Sequence, residues 1–74
     1  MQRFGEKLHA LRIAHELTLQ QLAVELGYAT HAYISELESG KKVPTAVLVL
    51  KVARRFGVST DVLMKDEMEL PGNA

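Results

Sequence analysis

The chain has 74 residues, 47% of them hydrophobic, no cysteine, and nine basic against nine acidic side chains. That length holds one small domain and no second, and without cysteine neither disulfides nor thiolate metal sites can form. No apolar run approaches the roughly 18 residues of a membrane span, and MQRFGEKLHALR lacks the continuous apolar stretch of a secretory signal, so a cytoplasmic protein is expected.

Apolar periodicity predicts five short helices. The first covers about residues 2–14, with Phe4, Leu8 and Leu11 on one face. The second, about 19–26, opens on Thr18, whose spacing to Gln21 fits a capping box. It buries Leu22, Ala23 and Leu26 and stops at Gly27, which takes a left-handed conformation cheaply. The third, about 31–38, opens on Thr30, turns Ile34 and Leu37 inward and stops near Gly40. A basic turn, Lys41-Lys42-Val43-Pro44, follows, and the proline disfavours helix in the residue before it. Thr45 caps a fourth helix, about 46–56, with an expected apolar face of Val49, Leu50, Val52, Ala53 and Phe56, ended by Gly57. Ser59 caps a fifth, about 60–64, with Val62 and Leu63 turned inward. Residues 1–64 therefore read as one all-α, compact five-helix bundle carrying net charge +2. Residues 65–74 carry −2 and read as an acidic, disordered tail.

Residues 18–40 say most about function. Two amphipathic helices joined by a glycine turn can pack crosswise, which leaves the outer side of the second helix free. That arrangement reads a DNA major groove. The slight basic excess of residues 1–64 is a weak footprint for DNA, so tight binding is expected to need a dimer.

The pattern resembles the helix-turn-helix domain of the lambda-repressor and Cro type, also called the Xre family. The matching residues are Leu11-Arg12, Leu17-Thr18, Leu22-Ala23, Leu26-Gly27, Tyr33-Ile34-Ser35, Leu37-Glu38-Ser39-Gly40, Lys41-Lys42, Pro44-Thr45, Leu50, Ala53, Phe56-Gly57-Val58-Ser59 and Leu63, spread over about residues 4–64. Two positions depart from it. Leu19 stands where the family often has a phosphate-binding glutamine, and the turn Gly27-Tyr28-Ala29-Thr30 is one residue longer than the commonest version.

The resemblance implies a recognition helix at about 31–38 whose base-reading positions are His31, Ala32, Tyr33, Ser35 and Glu36. His31 can donate to guanine, Ala32 can pack on a thymine methyl, and Glu36 can accept from cytosine N4. Tyr33 and Ser35 also reach phosphate oxygens as neutral donors. An acid near phosphates is repelled unless it finds its donor, so Glu36 can also act against wrong bases. Phosphate contacts are expected from Thr18, Gln20, Gln21 and Thr30, near helix N-termini that favour anions, and from Lys41 and Lys42. Arg12 and Glu38 are implied to form a structural ion pair between helices 1 and 3.

Val47, Leu48, Val58 and Met64 are surplus apolar residues for such a domain and are the expected dimer contacts, spacing two recognition helices about 34 Å apart. His9, His15 and Glu16 lack any metal-ligand spacing. No nucleophile constellation or phosphate loop stands out, so no catalysis, metal or cofactor is expected. The resulting expectation is a sequence-specific regulator of transcription, most simply a repressor. It would bind a short inverted repeat of double-stranded DNA as a homodimer. The family spans phage-type repressors, controllers of restriction–modification genes and antitoxins, so a protein partner such as a toxin or anti-repressor also fits. The rival is a protein-interaction module on the same fold with weak or no DNA binding, which Leu19, Glu36 and the neutral total charge support.

Overall fold

The computed structural model describes residues 1–71. Its elements are α1 (Phe4–Ala14), α2 (Leu19–Leu26), α3 (Ala32–Ser39), α4 (Ala46–Phe56) and α5 (Thr60–Met64), and no strand occurs among the described residues. The starts of three helices follow from hydroxyl caps. Thr18 Oγ1 accepts from Gln21 N while Gln21 Oε1 accepts from Thr18 N, a full capping box. Thr45 and Ser59 accept from Leu48 N and Val62 N in the same way. Gly27 ends α2 at φ +88°, a left-handed turn that a β-carbon would disfavour.

One core joins all five helices. Phe4, Leu8 and Leu11 of α1 meet Leu22, Ala23 and Leu26 of α2, Ile34 and Leu37 of α3, Leu48, Val49, Val52, Ala53 and Phe56 of α4, and Leu63 of α5. α1 packs on α3 and α5, α2 crosses α3, and α4 backs α2 and α5. The short α2–α3 connection therefore rides on a frame made by α1 and α4.

Several boundaries and faces differ from the sequence reading. α1 begins at Phe4 rather than residue 2: Arg3 is the N-cap with a non-helical backbone (φ −98°, ψ 7°), and the N–H groups of Gln2 and Arg3 donate to the Asp66 carboxylate. α3 begins at Ala32, with His31 in the capping position and Thr30 Oγ1 accepting from Ala32 N. In α4 the inward face is centred on Leu48, Val49, Val52, Ala53 and Phe56. Leu48, expected at a dimer surface, is fully buried, and Leu50, expected in the core, is 41% exposed. At 100° per residue Leu48 lies only 40° from Val52, whereas Leu50 falls on the opposite side with Val47.

The segment after α5, expected to be frayed, runs back along the start of α1. Besides the Asp66 contacts, Arg3 donates to Asp66 O and to both Glu69 carboxylate oxygens, and Leu70 packs against the core. The remainder of the acidic segment, residues 72–74, lies outside the described residues. Lys7 is buried and donates its ammonium to Val62 O and Lys65 O, satisfying carbonyls at the end of α5.

Candidate nucleic-acid interface

The proposed reading element is α3, and its two sides differ chemically. Inward, Ile34 and Leu37 are buried, while Glu38 faces α1. Arg12 Nε donates to Glu38 Oε2 at 2.7 Å and Arg12 Nη2 to Oε1 at 3.1 Å, with the two side chains only 11% and 9% exposed. This two-pronged contact fixes a direction as well as a distance. Arg12 Nη1 also donates to Leu17 O at 2.9 Å, tying the residue before the α2 cap to the same guanidinium. His9 Nδ1 lies 2.8 Å from Glu38 Oε1. Arg12 thus holds both α3 and the approach to α2.

Outward, His31, Ala32 and Ser35 are exposed, and Glu36 is half-buried. Among the described residues their side chains make no hydrogen bond to the protein. The carbonyl of Glu36 accepts from Lys41 N at 2.9 Å, Lys42 N at 3.3 Å and Ser39 Oγ at 3.1 Å, so the basic turn is folded back onto the end of α3. Lys41 and Lys42 themselves are exposed, without an ion pair among the described residues.

Tyr33 is placed differently from its neighbours. Its ring lies 4.9 Å from that of Tyr28 in the α2–α3 turn, and Lys51 of α4 sits 5.5 Å from the Tyr28 ring. Lys51 also donates to Leu26 O, fastening the end of α2. Burial, with Tyr33 alongside, pushes the Tyr28 hydroxyl pKa up. Further along α4, Arg55 pairs with Glu25 of α2, holding the Glu25 carboxyl below its usual range. Sequence reasoning missed Tyr28, Lys51 and Arg55 in these roles. The sequence shows an aromatic beside Gly27, but only the packing of α4 against α2 brings Lys51 to it and Arg55 to Glu25.

At the start of α2, Thr18 and Gln21 are occupied with capping each other. Gln20 is exposed, and Leu19 is half-buried against the core. The helix leaves its first N–H groups and positive end at the surface there. Of the remaining expected dimer contacts, Val47 is 63% exposed, Met64 is exposed, and Val58 is half-buried on the core. Among the described residues no helix is long and apolar enough to cross a membrane.

Comparison with known proteins agrees with this geometry. A family of helix-turn-helix domains matches residues 3–65. The HTH-type transcriptional activator BcrR of Enterococcus faecalis is 39% identical over 64 residues, covering 86% of this chain and 31% of its own length. The HTH-type transcriptional repressor RghR of Bacillus subtilis is 40% identical over 65 residues, covering 86% and 47%. MJ0272 of Methanocaldococcus jannaschii, an uncharacterized HTH-type transcriptional regulator, is 38% identical over 55 residues, covering 74% and 82%. The chain spans about a third of BcrR and about half of RghR. With its two crossed helices braced by α1 and α4, this chain belongs to the helix-turn-helix domain family, in its lambda-repressor and Cro-like form.

Proposed function

We propose that the protein binds duplex DNA sequence-specifically through α3 and regulates transcription, acting as a homodimer on a short inverted repeat. One observation carries this reading: the inner side of α3 is bound to α1 through Glu38, while the exposed side chains of His31, Ala32 and Ser35 on its outer side make no hydrogen bond to the protein among the described residues. A helix held rigidly on one side and bare on the other suits insertion into a groove. His31, Ala32, Tyr33, Ser35 and Glu36 then face or flank base edges. Gln20, Thr18, Gln21, Thr30 and the Lys41–Lys42 turn serve the phosphates on either side. Dimer contacts fall to Val47, Met64 and Val58, joined by the exposed Leu50 in place of Leu48. Repression would follow from occupying the polymerase's site. The activator and repressor among the relatives leave both signs within the fold's reach.

Selection of random duplexes on the purified protein tests the proposal. The expected result is an enriched palindrome whose half-sites lie about one helical turn, roughly 34 Å, apart. His31→Ala or Glu36→Ala should then relax preference at one or two base pairs. No enrichment would remove the DNA reading. A single, non-repeated site bound by a monomer in sedimentation would remove the dimer.

A further inference from the structure

Gly5 lies in the first turn of α1 and faces the last turn of α3. A β-carbon at this position would overlap the carbonyl oxygen of Leu37 and stand 2.7 Å from that of Glu38. Both obstacles are backbone, so neither can swing aside as a flexible side chain does. Ordinary contact begins at 3.4 Å, so an alanine here requires the two helices to part by about 0.7 Å at Glu38 and by more at Leu37.

The contact is also electrostatically matched. The Leu37 carbonyl accepts from Gly40 N at 3.3 Å in the closing turn of α3, and carbonyls at a helix end keep further accepting capacity that no amide inside the helix fills. The start of α1 presents the positive end of its dipole to them. A Cα hydrogen of Gly5 takes the place of the missing β-carbon and points at these oxygens, a weak C–H···O contact in place of a side chain. Seven residues further along α1, Arg12 grips the Glu38 carboxylate. Backbone and side chain of the same α3 turn are therefore both fastened to α1.

We infer that Gly5 is a positioning residue for DNA reading. It touches no DNA, but by letting α1 lie directly on the Leu37 and Glu38 carbonyls it sets where the outer side of α3 stands relative to α2. The inference rests on the reading of α3 as the groove-binding helix. Direct base contacts operate over donor–acceptor distances of only about 2.7–3.2 Å. A displacement of α3 forced by one added methyl exceeds that window.

Gly5→Ala is compared with Gly57→Ala as a control for lost stability. Gly57 ends α4 at φ +68° with nothing within 4 Å of an added β-carbon, so alanine there strains the backbone without pushing on α3. Folded fraction is measured by circular dichroism, with trimethylamine N-oxide added where a variant needs it. Affinity is measured by anisotropy on the duplex that the wild type selects. At equal folded fraction, Gly5→Ala should bind roughly tenfold or more weakly than wild type, and Gly57→Ala within about twofold. Equal binding by Gly5→Ala overturns the inference, as does a matching loss in Gly57→Ala. A wild type that selects no duplex overturns the groove-binding reading itself. If Gly5→Ala stays unfolded even in osmolyte, wild-type proton resonances decide. A downfield Gly5 α-proton, with cross-relaxation to Leu37 and Glu38 that persists on adding DNA, supports the inference. Two equivalent α-protons without it overturn the inference.

Discussion

Five cations of the frame and the two that follow α3 have opposite fates in the same small domain. Arg3, Lys7, Arg12, Lys51 and Arg55 are all engaged by carboxylates or carbonyls of the chain itself. Lys41 and Lys42 hold only backbone contacts, and their ammonium groups stand in solvent. A formal charge of zero therefore conceals a division of labour. Four of the nine cations, Arg3, Arg12, Arg55 and Lys65, are paired with carboxylates and two more, Lys7 and Lys51, are tied to carbonyls in building the frame. Two of the remaining three, Lys41 and Lys42, sit side by side at the exit of α3. Net charge alone understates how such a domain presents itself to a polyanion, because paired cations contribute little field beyond a Debye length of about 10 Å.

The largest expected effect comes from breaking the committed side. Arg12→Ala strands the nearly buried Glu38 carboxylate and releases Leu17 O, and should cost about 3–5 kcal/mol in urea unfolding. A loss under about 1 kcal/mol would place the pair with ordinary surface bridges. Next comes the uncommitted side. Lys41→Glu with Lys42→Glu should leave the unfolding curve nearly unchanged and weaken DNA binding roughly tenfold or more. It should also lower the salt slope of log Kd by about 0.9 for each lost phosphate contact. Binding that ignores salt and survives this double change would favour the protein-interaction reading.

The smallest effect concerns pH. The Asp66 carboxyl is held below its ordinary value of 3.8 by the N–H groups of Arg3 and Gln2. The Glu69 carboxyl lies below 4.5 through Arg3, and that of Glu25 below 4.5 through Arg55. Carboxyls with depressed folded values stabilise fully above their unfolded values and lose that contribution as pH falls through the folded ones. Melting temperature should therefore hold near pH 6 and decline below about pH 4, and Asp66→Asn should make the decline shallower. An identical acid profile in Asp66→Asn would show that the α1 cap contributes nothing measurable.

Much of the fold was legible because its signals are local. Thr18, Thr45 and Ser59 mark helix starts through hydrogen bonds spanning three residues, and Gly27 and Gly40 mark ends through backbone conformation. Apolar spacing in α1, α2 and α3 named most of the core. That the outer side of α3 stays free follows from the same periodicity, and His31, Ala32 and Ser35 are exposed there, whereas Tyr33 and Glu36 are half-buried. In α4 the method failed by one step. Val47, Leu48, Val49 and Leu50 are four consecutive apolar residues, and such a run carries no phase.

What the sequence by itself determined is thus the kind and order of the helices and the hydroxyl caps of α2, α4 and α5, because each depends on neighbours within a few positions. Only the tertiary structure decided which side of α4 turns inward, where Lys7 and Lys51 find their carbonyls, and how Asp66 comes to cap α1 from 63 residues away. It also decided that Gly5 must be small, since the Leu37 and Glu38 carbonyls reach it only through the packing of α1 on α3. Those contacts join segments distant in the chain. Nothing local announces a partner that arrives only when the helices close on one another.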